Sequence, residues 1–207
     1  MRIPTIRTAA VGAAMLAAVI AVGGCSLSIG SSDHGDGHMM DSSESGAAMS
    51  ADAMFAQMMI PHHEQAVEMS TLAETRASDP EIKALAAQIK GAQQPEIDQM
   101  KAWLEEWGVP VMPGMDAMDM HGGHGMSGML TDEQMGELAA ASGPEFDALY
   151  ARYMIEHHKG AIDMAQDVAD SKDPRVAALA AAIIQTQQAE IAELEAFLAS
   201  ASPSPSS

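Results

Sequence analysis

MIPHHEQAVEM, residues 59–69, and MIEHHKGAIDM, residues 154–164, are two versions of one phrase set 95 residues apart. Each places a His-His doublet between methionines. Each also lies where apolar residues recur every three or four positions: Phe55, Met58/Met59, His62, Ala66 and Met69 in the first copy, and Phe146, Tyr150, Tyr153/Met154, His157, Ala161 and Met164 in the second. That period marks a helix with one core-facing side. The phrase therefore reports a duplicated helical unit.

The duplication runs on downstream. Ser78-Asp79-Pro80 and Lys172-Asp173-Pro174 each stop one helix and start the next, because aspartate caps a helix and proline fits its first turn. Ile82, Leu85, Ile89, Ile97, Met100, Trp103 and Leu104 are then echoed by Val176, Leu179, Ile183, Ile191, Leu194, Phe197 and Leu198, 94 residues later. Gly108 ends the first copy and Pro110 keeps its helix from resuming. Each copy is a helical hairpin, 52–107 and 144–199. A hairpin of that size seldom holds a core of its own, so the two must bury their apolar faces against one another. The expected fold is all-α, a four-helix bundle over residues 51–200 built from two repeated hairpins. Pro61 and Pro95 fall inside helices of the first copy, where a missing backbone donor predicts kinks. Between the hairpins lies a linker, 108–130, followed by a short helix, 131–141, where Thr131 and Gln134 form a capping box.

The ends of the chain read differently. Arg2 and Arg7, an apolar run from Ala9 to Val22 and then Val22-Gly23-Gly24-Cys25 predict a lipoprotein signal peptide over 1–24, too short and wrongly flanked for a spanning helix. Cys25 would be the lipidated first residue, 25–50 a flexible tether and 201–207 a disordered tail. The expected location is outside the cytoplasmic membrane, touching it through the lipid anchor only. Cys25 is the sole cysteine, which excludes disulfides and thiolate metal sites. Beyond the signal, eight basic residues face 29 acidic ones, a formal charge of −21. Such a balance argues against a nucleic-acid partner.

The histidines carry the chemistry. Neighbouring histidines on a helix lie about 100° apart, so both can border one apolar face, and a bundle would bring four such rings to its core. A buried, unpaired imidazole costs about 1–3 kcal/mol, and clustering protonated ones costs more. A metal ion would satisfy them. Met59, His62, His63 and Met69 occupy adjacent turns, as do Met154, His157, His158 and Met164. Glu64, Glu68, Glu156 and Asp163 are the carboxylates expected to orient the imidazoles; the alternative is that they satisfy the histidines with no metal at all. Methionine also fills irregular cores, but that does not account for the linker. There Met112, Met115, Met118, Met120, His121, His124, Met126 and Met129 stand among few other large side chains. His34, His38, Met39 and Met40 in the tether are a weaker echo. Thioethers favour Cu(I) and similar soft ions, whereas Zn²⁺ prefers thiolate, imidazole or carboxylate and Ca²⁺ prefers oxygen. Copper as Cu(I), with Ag(I) as a second cargo, is the expected ligand, and a metal donor or acceptor protein the expected partner.

Met59-Ile60-Pro61-His62-His63 with Ala66 and Met69, Met154-Ile155-Glu156-His157-His158 with Ala161 and Met164, and Trp103-Leu104 with Trp107-Gly108 resemble domain-of-unknown-function family 305 over about residues 51–199. The resemblance implies a ferritin-like helical bundle, exported and often lipid-anchored. It also implies kinship with copper-binding proteins that protect cells from copper. Two other readings stay open. A ferritin-like oxidase would need Glu-x-x-His pairs on two helices, and the chain contains none; a metal-free envelope interaction module would use the Met-rich linker as a docking surface. The absence of Gly-x-Ser-x-Gly, of a cysteine nucleophile and of a phosphate-cradling loop argues against a hydrolase. The expected role is non-enzymatic.

Overall fold

The computed structural model describes residues 49–111 and 127–201. Among them the chain is all-helical: α1 Ala51–Arg76, α2 Pro80–Glu106, α3 Asp132–Ala140, α4 Pro144–Gln166 and α5 Pro174–Ala201. The predicted signal peptide, tether, tail and most of the linker lie outside the described residues.

Local chemistry sets the ends of these helices. The Ser50 side chain accepts from Ala53 N at 3.1 Å and starts α1. Asp79 accepts from Glu81 N at 2.8 Å to start α2, and Asp173 accepts from Arg175 N at 2.9 Å at the head of α5. The two Asp-Pro junctions thus do the same work. Helix α3 opens with the reciprocal Thr131–Gln134 capping box. Neither proline interrupts its helix: α1 runs through Pro61 and α2 through Pro95. Each proline removes one donor, and the ladder continues on both sides.

Most helix–helix contact lies within the hairpins, α1 with α2 and α4 with α5; α1 and α4 then join the two halves. Those central helices run in opposite directions. His62 packs on His157, while Ser70, further along α1, bonds Tyr150, earlier in α4, at 3.0 Å. A buried carboxylate at Asp147 fastens the junction: it accepts from Ser78 N and Asp79 N, each at 3.0 Å, and so pins the α1–α2 turn onto α4.

The core is divided into two apolar clusters. One gathers Met69, Ala73, Ile82, Ile89, Leu138, Phe146, Tyr150 and Met154 with Leu194. The other gathers Phe55, Met59, Ile97, Met100, Trp103, Ala161, Val176 and Ile183. Every long helix crosses from one cluster to the other. At the crossing each contributes polar residues: His62 and His63 from α1, Gln93 and Glu96 from α2, His157 and His158 from α4, Gln187 and Glu190 from α5. The bundle therefore carries a polar layer across its middle. No described helix is long and apolar enough to cross a membrane.

Candidate metal centre

All four imidazoles are at 0% exposure. The His62 and His157 ring centroids are 3.8 Å apart with the planes tilted by 39°, and His158 lies 6.4 Å from His157. The two doublets, distant in sequence, meet because α1 and α4 are antiparallel neighbours.

Oxygen atoms flank three of the four rings at Nε2. His62 Nε2 lies 3.1 Å from the Ser127 carbonyl, and His63 Nε2 lies 2.8 Å from Glu96 Oε2. His158 Nε2 lies 2.8 Å from Glu190 Oε2, an ion-pair contact not aligned as a hydrogen bond. An acceptor beside Nε2 favours the proton there and leaves the lone pair on Nδ1. Among the described residues, Nδ1 of His62, His63, His157 and His158 is buried without a hydrogen-bond partner. His157 Nε2 is unpartnered as well, as are both amide atoms of Gln93. Such a concentration of unsatisfied buried polar atoms calls for an explanation.

Burial first, and then the neighbouring His63, lowers the His62 pKa to about 3, with the Ser127 carbonyl working the other way. Burial likewise holds His157 well below the ordinary histidine range, reinforced by His62, His158 and His63 and weakly opposed by the His62 main chain. These two rings are therefore neutral at physiological pH, the state in which imidazole ligates metal. The rings pack on one another, however, and do not splay round a common point. Among the described residues no three His, Cys, Asp or Glu side chains already form a ligating cluster.

The carboxylates differ from those expected. Glu64 and Glu156 are exposed and pair with Lys101 and Lys159, both at 2.8 Å or less; Glu68 and Asp163 are exposed too. The residues that reach the histidines, Glu96 and Glu190, come from the second helix of each hairpin. A side chain next to a histidine in sequence points about 100° away round the helix, so the partner had to come from across the interface. The signal was present: Gln93-x-x-Glu96 and Gln187-x-x-Glu190 are the same motif 94 residues apart.

The methionines fall into three sets. Met59, Met69 and Met154 are fully buried in the apolar clusters that bound the histidine layer. Met164 is half-buried and lines, with Met54 and Met58, a cavity of about 240 Å³ beside the start of α1. Met129 is half-buried at the end of the linker. Met112, Met115, Met118, Met120, His121, His124, Met126 and Cys25 lie outside the described residues.

A family model for "Domain of unknown function (DUF305)" matches residues 52–198, the span of both hairpins. The chain belongs to the DUF305 family. Among solved structures, this DUF305 chain resembles a putative secreted DUF305 protein from Streptomyces coelicolor at 35% identity and a TM-score of 0.67, covering 75% of this chain and 96% of that one. It also resembles CopM in the Cu(I)-bound form at 32% identity and a TM-score of 0.60, covering 72% of this chain and 96% of that one. CopM is further known in a Cu(II)-bound form (36% identity, TM-score 0.61) and an Ag-bound form (33%, 0.58), with the same coverage. Uncharacterized protein L153 of Acanthamoeba polyphaga mimivirus is 44% identical over 55 residues, 27% of this chain. The match spans 36% of that relative's length.

Proposed function

We propose that this DUF305 protein binds copper outside the cytoplasm, holding or handing over Cu(I), with Ag(I) as an alternative cargo. One observation carries the reading: four buried imidazoles meet at the junction of the hairpins, each with a buried Nδ1 lacking a partner. Leaving each such group unmet costs about 1–3 kcal/mol, and coordination by an ion removes that cost. Glu96 and Glu190 would orient His63 and His158 through Nε2 while Nδ1 meets the metal. Loading would require the packed, tilted rings of His62 and His157 to part, a rotation about side-chain torsions.

Imidazole alone does not select copper. The thioethers one helical turn away at Met59 and Met154, together with the linker methionines, supply the soft character that favours a monovalent ion. The similarity to CopM, known in Cu(I)-, Cu(II)- and Ag-bound forms, supports the same cargo class. The similarity to a putative secreted protein supports an extracytoplasmic place. In this reading Cys25 is the point of lipid attachment.

The test is a competitive Cu(I) titration of residues 26–207 and three variants: His62, His63, His157 and His158 replaced by leucine; the linker methionines replaced; and both. The reading expects the four-histidine variant to lose the tightest site. Binding unchanged in that variant removes the central site and moves the chemistry to the linker.

A further inference from the structure

Among the repeat positions at which the two copies differ, one faces the linker end: Gln65 in the first copy and Gly160 in the second. Gln65 clamps the main chain of Leu130 twice, with Nε2 donating to Leu130 O at 3.0 Å and Oε1 accepting from Leu130 N at 2.8 Å. Gly160, its counterpart, is buried and leaves a notch in α4 that Ser127 and Gly128 fill. A Cβ on Gly160 would overlap the Ser127 carbonyl group. Gly128 itself has φ +82°, and a Cβ there would come within 2.6 Å of the Glu156 carbonyl oxygen and 2.9 Å of that of His157. The segment 127–130 thus crosses the α1–α4 junction clamped at both ends, and its Ser127 carbonyl is the one that meets His62 Nε2 at 3.1 Å. His157, the repeat counterpart of His62, makes no aligned hydrogen bond of this kind among the described residues.

We propose that Gly160, together with Gln65, is a positioning residue of the histidine centre: it seats the Ser127 carbonyl on His62 and thereby fixes which nitrogen of that ring is offered to the metal. The inference rests on the metal reading of the histidines. It makes the two halves of a duplicated site inequivalent, one central imidazole held in a single tautomer by the crossing segment and the other not. The work is done by a main-chain carbonyl, so the Ser127 side chain, which is exposed, has no part in it.

The test uses the metal-free protein and Ag(I) as probe, with Gly160→Ala, Gln65→Ala, Ser127→Ala, His62→Leu and, as a control, Gly91→Ala, where an added Cβ meets nothing within 4 Å. Imidazole ¹⁵N spectra report the tautomer and competition titrations the affinity. Gly160→Ala and Gln65→Ala should turn His62 from a single Nε2–H form into a mixture while His63 stays as in the wild type. Both should weaken Ag(I) binding by about 10- to 100-fold, the usual effect of losing a partner that orients a ligand. Ser127→Ala and Gly91→Ala should match the wild type. Gln65→Ala inserts no bulk, so it keeps the test valid should Gly160→Ala fail to fold. A wild-type His62 tautomer and affinity in Gly160→Ala and Gln65→Ala overturns the positioning role, and the metal reading then still stands if His62→Leu loses binding. Wild-type affinity in His62→Leu overturns the metal reading itself.

Discussion

His157 is a fully buried imidazole with neither ring nitrogen in a hydrogen bond among the described residues. A residue kept for stability would not look like this. His157→Leu should leave the metal-free protein as stable as the wild type or more stable by about 1 kcal/mol, since it removes an unmet polar group from the core, while lowering metal affinity. Urea denaturation checks the first half, and a loss above about 2 kcal/mol would show that the ring is a packing element. Glu96 is the reverse case. Glu96→Gln keeps the shape but weakens the acceptor at His63 Nε2, and should cost about 10–100-fold in Cu(I) affinity, read by competition with a Cu(I) chelator. The depressed pKa values of His62 and His157 give the pH dependence its sign. Unfolded, each ring takes up a proton near pH 6.5; folded, His62 does so only near 3 and His157 well below its ordinary value. The unfolded chain therefore binds more protons in that interval, so this contribution to stability is complete above about pH 6.5 and is lost as the pH falls towards 3. The Tm of the metal-free protein should drop from pH 7 to pH 5, and less so in His62→Leu; a flat profile would contradict the neutral-histidine assignment.

At the level of the elements, Asp147 joins the hairpins by accepting from the backbone donors of Ser78 and Asp79. Its removal orphans donors at the start of α2, so Asp147→Ala should destabilise the protein by about 2–3 kcal/mol in urea. A change below 0.5 kcal/mol would mean that the junction is held by apolar contact alone. Much of this scaffold was legible in the sequence. Period, Asp-Pro junctions and the Thr131–Gln134 box each depend on neighbours within a few residues, and such signals survive in a linear string. The His doublets were legible for the same reason. Glu96, Glu190, Gln93 and Gln187 were not, because their role depends on contact with a different helix; only the repeat of Gln-x-x-Glu at a fixed offset hinted at it. Thioethers were the harder case. A methionine that ligates and one that packs have the same spacing on a helix, and Met59, Met69 and Met154 sit among aliphatic neighbours. The crossing of Ser127–Gly128 over Gly160 also left no pattern, since a glycine in a helix does not say which main chain approaches it.

For the whole molecule, metal binding at a polar layer between two apolar clusters would couple cargo to stability. Any ion that binds the folded centre and not the unfolded chain stabilises by RT ln(1 + [L]/Kd), about 2.7 kcal/mol at one hundred times Kd. Cu(I) or Ag(I) should therefore raise the Tm with concentration, and the rise should vanish when His62, His63, His157 and His158 are replaced by leucine. Without metal the same variant should be less stable than the wild type, because Gln93, Gln187 and Glu190 stay buried in the layer and Glu190 loses its contact with His158. The most direct test is an Ag(I) titration of the ¹⁵N-labelled protein followed at the imidazole nitrogens. The account predicts that Nδ1 of His62, His63, His157 and His158 shifts with the first equivalent; if those four signals stay in place while His121 and His124 move, the bundle is a scaffold and the buried histidines are not the metal site.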